Sequence, residues 1–579
     1  MCNKKGIIMK QKKKEEKFLW EHFYNKEDLN ITVPNCSLYE YMMEETKSFR
    51  NNYALNYFGR KITFKLFWEY IDRCAKSFKS LGVRVGDVVT ICMPNTPEAA
   101  IAFFACNKIG AVANMIHPLS AEEEIKHYIN STNSVIVVAF NGSYEKIRNI
   151  IKETNVYKVI IASASESMPI ILNGLYNVTK GRKEEKPHHN SLYMFWKEFL
   201  NYGNFYEGKI EVKRSREDIA VILHSGGTTG IPKSIMLPNR SFIGITEQAK
   251  IGFDNLYPGD TLLSVLPLFH CFGLVVCLYA PLCLGVSCIL VPQFDAKRFD
   301  KLLSKYRPNV ICGVPTLYEA MLKNTHMSNV NLSQVKYVIS GGDTLAFQRN
   351  QAVNDFLHKH GCEVNITQGY GMTETTGPVA FGMKGSDKLG SVGIPLPGNI
   401  VKIIDPNTNK EVKTLETGEI CINSVASMFG YLNNESETKE VFKLHDDGRY
   451  YIHTGDLGYI DEDGVIFYVQ RIKRIIVSSG YNVYPQHIEN VLRENKYIKD
   501  ACVVGVPHSY KQEVAKAFII LEDDIEETYT VKKEIMDYAK KNLAHYMIPR
   551  EYIYKKEFPK TKMAKTDYKK LQEELINKK

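Results

Sequence analysis

The chain predicts an α/β protein: a large N-terminal domain of parallel-rich sheets covered by helices, followed by a small C-terminal α+β domain. Three observations carry this. Between Thr63 and Phe140, helix-like and strand-like segments alternate, the pattern left by parallel strands joined through crossover helices. The 579 residues exceed one folding unit at roughly 100–200 residues per domain. From about Ile475 the pattern changes to short apolar strands, Ala501–Val506 and Ala515–Leu521, separated by polar helices.

The elements follow in order. Phe67, Tyr70, Ile71, Cys74, Phe78 and Leu81 recur at helical spacing after Thr63, and Gly82 ends the run. Val88–Met93 reads as a buried strand. Thr96 and Pro97 supply an N-cap and a first helical residue for a helix reaching Gly110. Ala111–Ile116 is a strand, Ser120 with Glu123 predicts a capping box for the next helix, and Val135–Phe140 is a strand again. Thr179–Asn190 is polar and holds breakers, so a surface loop is expected. Residues 271–291 run 21 positions without a formal charge, enough for a bilayer at about 20 residues. Pro281 and Gly285 punctuate that run, basic flanks are missing, and Val286–Val291 is a β-type segment. A buried helix, a turn and a buried strand are predicted instead.

The formal charge is +9, from 74 Lys+Arg and 65 Asp+Glu, and the surplus sits at the ends. Residues 1–17 hold seven Lys and two Glu; residues 551–579 hold nine Lys and five acids. A nucleic-acid binder carries its positive charge on a face or stripe of the fold, whereas basic ends are ordinarily solvated tails. No nucleic-acid partner is predicted. The 13 cysteines are scattered without a C-x-x-C pair, which argues against a disulfide framework or zinc cage and suits a reducing cytosol. The basic N-terminus lacks the apolar stretch of a secretory signal. A cytoplasmic location is expected, with loose, salt-dependent attachment to an anionic membrane surface left open.

The most informative stretch is HSGGTTGIPKS, His224–Ser234, directly after the strand-like Ile219–Leu223. Glycines let backbone N–H groups approach phosphate oxygens, hydroxyls add donors, and Lys233 adds a point charge. It is not a Walker A loop, which needs Gly directly before Lys; Pro232 stands there.

This loop resembles the phosphate-binding signature of the AMP-forming adenylating enzymes, which include acyl-CoA synthetases and luciferases. Six further matches follow in that family's order: PLFHCFG (Pro267–Gly273), SGGDTL (Ser340–Leu345), QGYGMTE (Gln368–Glu374), TGDLGYID (Thr454–Asp461), QRIKRIIVSSGYNVYPQHIE (Gln470–Glu489) and PKTKMAK (Pro559–Lys565). The resemblance spans Leu38 to Leu571. It implies the adenylate-forming fold: a basic leader over residues 1–30, an adenylation domain over 31–472, and a mobile C-terminal domain over 473–579 that swings about a hinge at Lys473.

The resemblance also implies a reaction and roles. A carboxylate attacks the α-phosphate of ATP and expels pyrophosphate; a CoA thiolate then takes the acyl group and releases AMP. Ser225, Gly226, Gly227, Thr228, Thr229, Gly230 and Lys233 would hold phosphates. Gly341, Gly342, Asp343, Gly369, Tyr370 and Gly371 would surround adenine and adenylate. Thr373 would contact the α-phosphate and Glu374 would hold Mg²⁺, a hard cation that takes oxygen ligands. Asp456 and Arg471 would bind the ribose, Lys565 would stabilise the moving charge, and Gly480 would approach the pantetheine of CoA. His270, Val314 and Gly341 would border the acyl pocket. Each residue also has an ordinary reading. Glu374 could be an acid in a helical first turn, Asp456 a turn residue, Lys565 part of a solvated tail, and His270 a satisfied core histidine.

Several positions depart from the family pattern: Ser234, Asp343, Thr344, Gln470, Arg474 and Ala564. None removes a charged catalytic group. Within the family the resemblance is nearest to medium- and long-chain fatty acyl-CoA synthetases, carried by Tyr306–Leu322, Ile475–Leu492 and Val33–Thr46. An aryl or alicyclic acid, and a carrier-protein phosphopantetheine in place of CoA, remain open.

Overall fold

The computed structural model describes residues 18–179, 181, 190–225, 232–383, 385–478, 481–508, 512–545, 547–561 and 565–576. The alternation after Thr63 forms the expected crossovers. Thr63 caps helix Phe64–Ser80, its hydroxyl accepting the Leu66 N–H at 3.2 Å. Thr96 caps Pro97–Lys108 in the same way through Ala99 N–H. Ser120 does not cap the next helix. Ala121 is its N-cap, and Glu124, not Glu123, reaches back to the Ala121 N–H at 3.2 Å, one residue later than predicted. Ser120 is instead buried ahead of the turn.

These crossovers build two large sheets. One has eight strands, and its Ile219–Ser225, Val112–Met115, Val88–Cys92, Ile136–Phe140, Lys158–Ala162 and Tyr193–Phe195 are parallel. The other has nine, with Ile366–Met372, Tyr337–Ser340, Val310–Gly313, Thr261–Ser264, Ser287–Leu290 and Tyr53–Tyr57 parallel in that order. The largest core lies between helices and both sheets. Pro97–Lys108 is buried from Pro97 to Asn107, as an all-round apolar helix must be. Residues 271–291 are largely buried too, shared between this core and two neighbouring clusters: a π-helical Phe272–Tyr279, one α-turn Ala280–Cys283, and strand Ser287–Leu290. Among the described residues no helix is long and apolar enough to cross a membrane.

A third sheet, antiparallel, covers Asn399–Arg471, with the short helix Glu435–Val441 in one of its connections. The C-terminal domain has its own antiparallel-rich sheet, built on the long pair Ile498–His508 and Gln512–Leu521, and its own core. The expected leader is only partly one. Residues 1–17 lie outside the description, but Trp20 is buried against Ile394 and Val465, and the Tyr24 hydroxyl donates to Pro395 O at 2.8 Å. Residues 18–30 therefore belong to the large domain's surface. Most of the predicted 179–190 loop lies outside the described residues.

One buried group sets a pH dependence. Glu98, in the first turn of Pro97–Lys108, is 1% exposed; Ser167 donates to Oε1 at 2.5 Å and Oε2 has no partner. Burial pushes its pKa up from 4.5 to about 7. The folded chain therefore holds a proton that the unfolded chain releases first. Stability is greatest below pH 4.5 for this group and falls as pH rises through about 7, by about 3 kcal/mol. Glu98→Gln should raise the melting temperature at pH 8 and change it little at pH 4.5, measured by calorimetry at both values.

Candidate active site

The C-terminal ends of the parallel strands in both sheets open onto one cleft of about 1580 Å³, and the small domain supplies part of its wall. This is where open parallel sheets bind ligands. Strand Tyr337–Ser340 delivers Gly341, Gly342 and Asp343 to the cleft. Gly342 has φ +79°, the left-handed region that glycine enters freely. Asp343 Oδ1 accepts the Thr344 N–H at 2.9 Å, so this departure from the family pattern shapes its own loop.

Strand Ile366–Met372 delivers Gly369, Tyr370 and Gly371, and the turn Thr373–Thr375 follows. Thr376 closes the turn with φ 61°, a strained choice for a β-branched residue that costs about 1–3 kcal/mol. Its N–H reaches Thr373 O at 2.9 Å and its hydroxyl reaches Ala426 O at 2.8 Å. Those bonds hold the strained turn, and with it Thr373 and Glu374, against the cleft. Glu374 Oε1 accepts the Tyr431 hydroxyl at 2.9 Å. The Lys233 ammonium lies 4.8 Å from the centroid of the same tyrosine ring and is ion-paired with Glu437. Tyr431 and Glu437 carry no sequence signature. They come from a segment some 200 residues downstream of Lys233, brought in when Gly430–Tyr431 pairs with Lys233–Pro238.

Ser225 and Lys233 are cross-strand partners, so they bracket the glycine-rich loop. Gly226, Gly227, Thr228, Thr229 and Gly230 lie outside the described residues, as does Gly480. Behind the loop, His224 Nε2 is 2.6 Å from Asn114 Oδ1 and its Nδ1 is 3.1 Å from Ser234 Oγ. A neutral imidazole satisfies both, donating from Nε2 and accepting the Ser234 hydroxyl at Nδ1. Burial keeps it neutral, pulling its pKa to about 3. The Asn114 amide oxygen, which can only accept, thus fixes the His224 tautomer, and the Ser234 hydroxyl fits it.

Asp456 and Arg471 are also cross-strand partners. Arg471 Nε lies 2.8 Å from Asp456 Oδ1, an ion-pair contact without the alignment of a hydrogen bond, and the Tyr370 hydroxyl donates to Oδ2 at 2.8 Å. Asp456 is 2% exposed. Burial pushes its carboxyl up from the ordinary value while Arg471 pulls it back. Oδ1 therefore keeps unused acceptor capacity.

His270 borders the cleft, its Nδ1 accepting the Phe272 N–H at 3.3 Å. Burial, and then the positive charge of Lys565, lower its pKa to about 4, so it is neutral at pH 7. Val314 is half-buried beside Gly342, where a Cβ would lie 3.5 Å from Val314 Cγ1. Beyond His270 the cleft continues as an apolar arm lined by Ala249, Leu262, Val276, Leu284, Val310 and Ile339. Lys473 and Lys565 line the cleft from the other side, and the Lys565 charge also acts on Asp456. The Thr561 N–H donates to Lys565 O at 2.7 Å, fixing the lysine's backbone.

Arg474, another departure, anchors the small domain. It is ion-paired with Glu489, donates to Val503 O at 3.2 Å, and lies 4.9 Å from the centroid of the Tyr568 ring. Glu489 is 2% exposed and also accepts the Val503 N–H at 2.8 Å. Removing one partner of a buried pair costs about 3–5 kcal/mol. Arg474→Ala should weaken the small domain by about 3 kcal/mol, seen as lost hydrogen-exchange protection over residues 498–521, and adding Glu489→Gln should restore more than half of it.

A profile of AMP-binding enzymes matches residues 43–432, and a profile of the AMP-binding enzyme C-terminal domain matches residues 487–565. The long-chain-fatty-acid–CoA ligase of Bacillus subtilis (strain 168) is 28% identical over 556 residues, covering 94% of this chain and 95% of its own. That of Haemophilus influenzae is 32% identical over 530 residues, covering 90% and 91%. The crystal structure of the anthranilate CoA ligase AuaEII in complex with anthranoyl-AMP superposes with a TM-score of 0.81 at 22% identity, covering 95% of this chain and 98% of that one, a likeness of fold. With both profiles in order, full-length relatives and the matching two-domain fold, the chain belongs to the AMP-binding enzyme family.

Proposed function

We propose that this enzyme joins a medium- or long-chain fatty acid to CoA through an acyl-adenylate. The observation that carries the choice of acid is the apolar arm. Its walls come from helix Asn239–Gly252, the π-helix and three strands of the nine-stranded sheet, a depth of apolar surface suited to an alkyl chain. The names of the two bacterial relatives agree with that choice.

The cleft residues fit the roles the chemistry requires. The unused Asp456 Oδ1 suits a ribose hydroxyl. Tyr370 and the Gly341–Asp343 loop border the space for adenine, and Ser225 and Lys233 flank the phosphates. Glu374, with a carboxylate turned to the cleft, would hold Mg²⁺, which neutralises phosphate charge when bound. In the first step a carboxylate oxygen forms a bond to the α-phosphorus, and the bond to pyrophosphate breaks with its electron pair leaving on pyrophosphate. Negative charge meets negative charge, so cations and N–H or O–H donors dominate catalysis. Thr373 and Lys565, which both line the cleft, would serve the α-phosphate. His270, being neutral, adds no competing charge beside the carboxylate. In the second step a thiolate sulfur bonds to the acyl carbon and the bond to AMP breaks. Residues 473–579, hinged at Lys473, would turn between the two steps and bring Gly480 to the pantetheine.

Lys565→Ala should lower adenylate formation by about 10²–10³ and largely spare thioester formation from supplied acyl-adenylate. Equal losses in both half-reactions would contradict the hinge. Asp456→Asn should weaken AMP binding by about tenfold to a hundredfold, read by calorimetric titration. The substrate test follows pyrophosphate and AMP release across straight-chain, aryl and alicyclic acids, with and without CoA. Ala249→Phe should abolish activity on long-chain acids while sparing short ones. A preference for aryl acids that Ala249→Phe leaves intact would overturn the fatty-acid assignment, and AMP release indifferent to CoA would point to a carrier-protein acceptor.

A further inference from the structure

Glu419 belongs to none of the sequence motifs, yet the third sheet sets it beside Asp456. Its strand, Gly418–Ser424, pairs with Tyr450–Ile460, and the register breaks at this point: Glu419 faces Leu457, while Cys421 faces His453. Ile420 alone therefore spans the same length of ladder as Thr454, Gly455 and Asp456 together. The three form a bulge, a device that re-aims a side chain out of the regular sheet. Gly455, at its middle, has φ +70°, which a residue with a Cβ rarely adopts. The side chain that the bulge re-aims is Asp456.

A bulge takes backbone groups out of the ladder, and buried ones need other partners. Thr454 supplies two: its hydroxyl donates to Ile420 O at 2.7 Å and accepts the Asp456 N–H at 3.0 Å. Arg471 donates to Thr454 O at 3.1 Å. The Gly455 N–H goes to Glu419 Oε1 at 2.9 Å. Glu419 Oε2 lies 2.7 Å from His453 Nδ1, so the ring donates there. Cys421 Sγ, 3.5 Å from the same nitrogen, is the weaker acceptor. In the neutral ring Nε2 then accepts, and His445 Nε2 donates to it at 3.0 Å. His445 is itself stacked on Tyr451, with ring centroids 4.4 Å apart. Glu419 and His453 are both buried. Burial raises the pKa of Glu419, but the hydrogen bonds from His453 and Gly455 outweigh it and hold the carboxyl below its ordinary value. A carboxylate engaged at both oxygens is fixed in place, and the Gly455 amide with it.

We propose that Glu419 and His453 are positioning residues for the nucleotide: they pin the Gly455 amide, set the shape of the bulge and so aim Asp456 Oδ1 at the ribose hydroxyls. Both side chains border the cleft, but the two Glu419 oxygens are already occupied, so Glu419 acts through Gly455 and not on the nucleotide. Without that carboxylate the Gly455 N–H loses its partner, and the bulge relaxes with Asp456 on it; a binding group needs such support to hold its geometry. The proposal rests on the ribose role proposed above for Asp456, and it does not depend on the identity of the acid.

The test is calorimetric titration of the full chain with AMP and with 2′,3′-dideoxy-AMP, which lacks both ribose hydroxyls. The wild type should bind AMP about tenfold more tightly or better. Glu419→Ala should lose about tenfold in affinity for AMP and bind dideoxy-AMP as the wild type does. Glu419→Gln keeps an oxygen for the Gly455 N–H and should recover most of that loss. His453→Ala, which leaves the Gly455 bond in place, should lose about threefold for AMP alone, and it carries the same comparison should Glu419→Ala not fold. Added to Asp456→Asn, Glu419→Ala should cost no further affinity for AMP, because the two act on one contact. Equal losses for both nucleotides would overturn the proposal, since a merely structural role weakens them alike. AMP affinity unchanged in Glu419→Ala would also overturn it. A wild type that does not distinguish the two nucleotides would remove the ribose role of Asp456, and this proposal with it.

Discussion

Asp456 holds a carboxylate at 2% exposure, and an anion taken out of water has to be compensated by its neighbours. Arg471 supplies the charge and Tyr370 a hydrogen bond. Both depend on register: Arg471 faces Asp456 only because strands Tyr450–Ile460 and Ile466–Arg471 pair as they do, and Tyr370 arrives from a different sheet. The large domain's last strand therefore ends on a residue tied into the charged end of the cleft, and the chain leaves for the small domain directly afterwards. Three residues on, Arg474 is locked to Glu489 inside the small domain. If that domain turns as proposed, the turn falls in the few residues between these two anchors.

The cleft divides its electrostatics sharply. At one end are Lys233, Glu374, Glu437, Asp456, Arg471 and Lys565, and at the other an arm of aliphatic and aromatic carbon. His224 and His270, which both line the cleft, are held neutral by burial and add no charge to its wall. The ion pair Arg349–Glu522, at 3.5 Å, ties the two domains near the same opening.

Much of this was legible in the sequence where the signal is local. Caps at Thr63 and Thr96, the helix-strand alternation and the glycine-rich loop are all written within a few neighbouring residues. The displaced cap shows the limit: Ser120 and Ala121 compete for one position, and the fold buries Ser120. The antiparallel sheet over Asn399–Arg471 has no crossover helices to announce it, so its strands read poorly from periodicity alone. Tyr431 and Glu437 were invisible because their partners are distant in the chain, Lys233 some 200 residues and Glu374 57 residues away, and sheet pairing brings them together. Arg474 was unexplained for the same reason on a smaller scale, since its meaning lies in Glu489, Val503 and Tyr568, three separate elements of the C-terminal domain.

The π-helix at Phe272–Tyr279 has a consequence for how such a protein can change over generations. A π-turn holds about one residue more than an α-turn between the same end points, and such turns are uncommon outside functional regions. Loss of a single codon there would let the segment relax towards α-helix between the same two attachments, re-aiming the side chains within it while those beyond keep their places. Val276, now on the wall of the arm, would be exchanged for a neighbour of different size. The bore and reach of the apolar arm are thus open to revision in one genetic step that leaves the charged end of the cleft untouched.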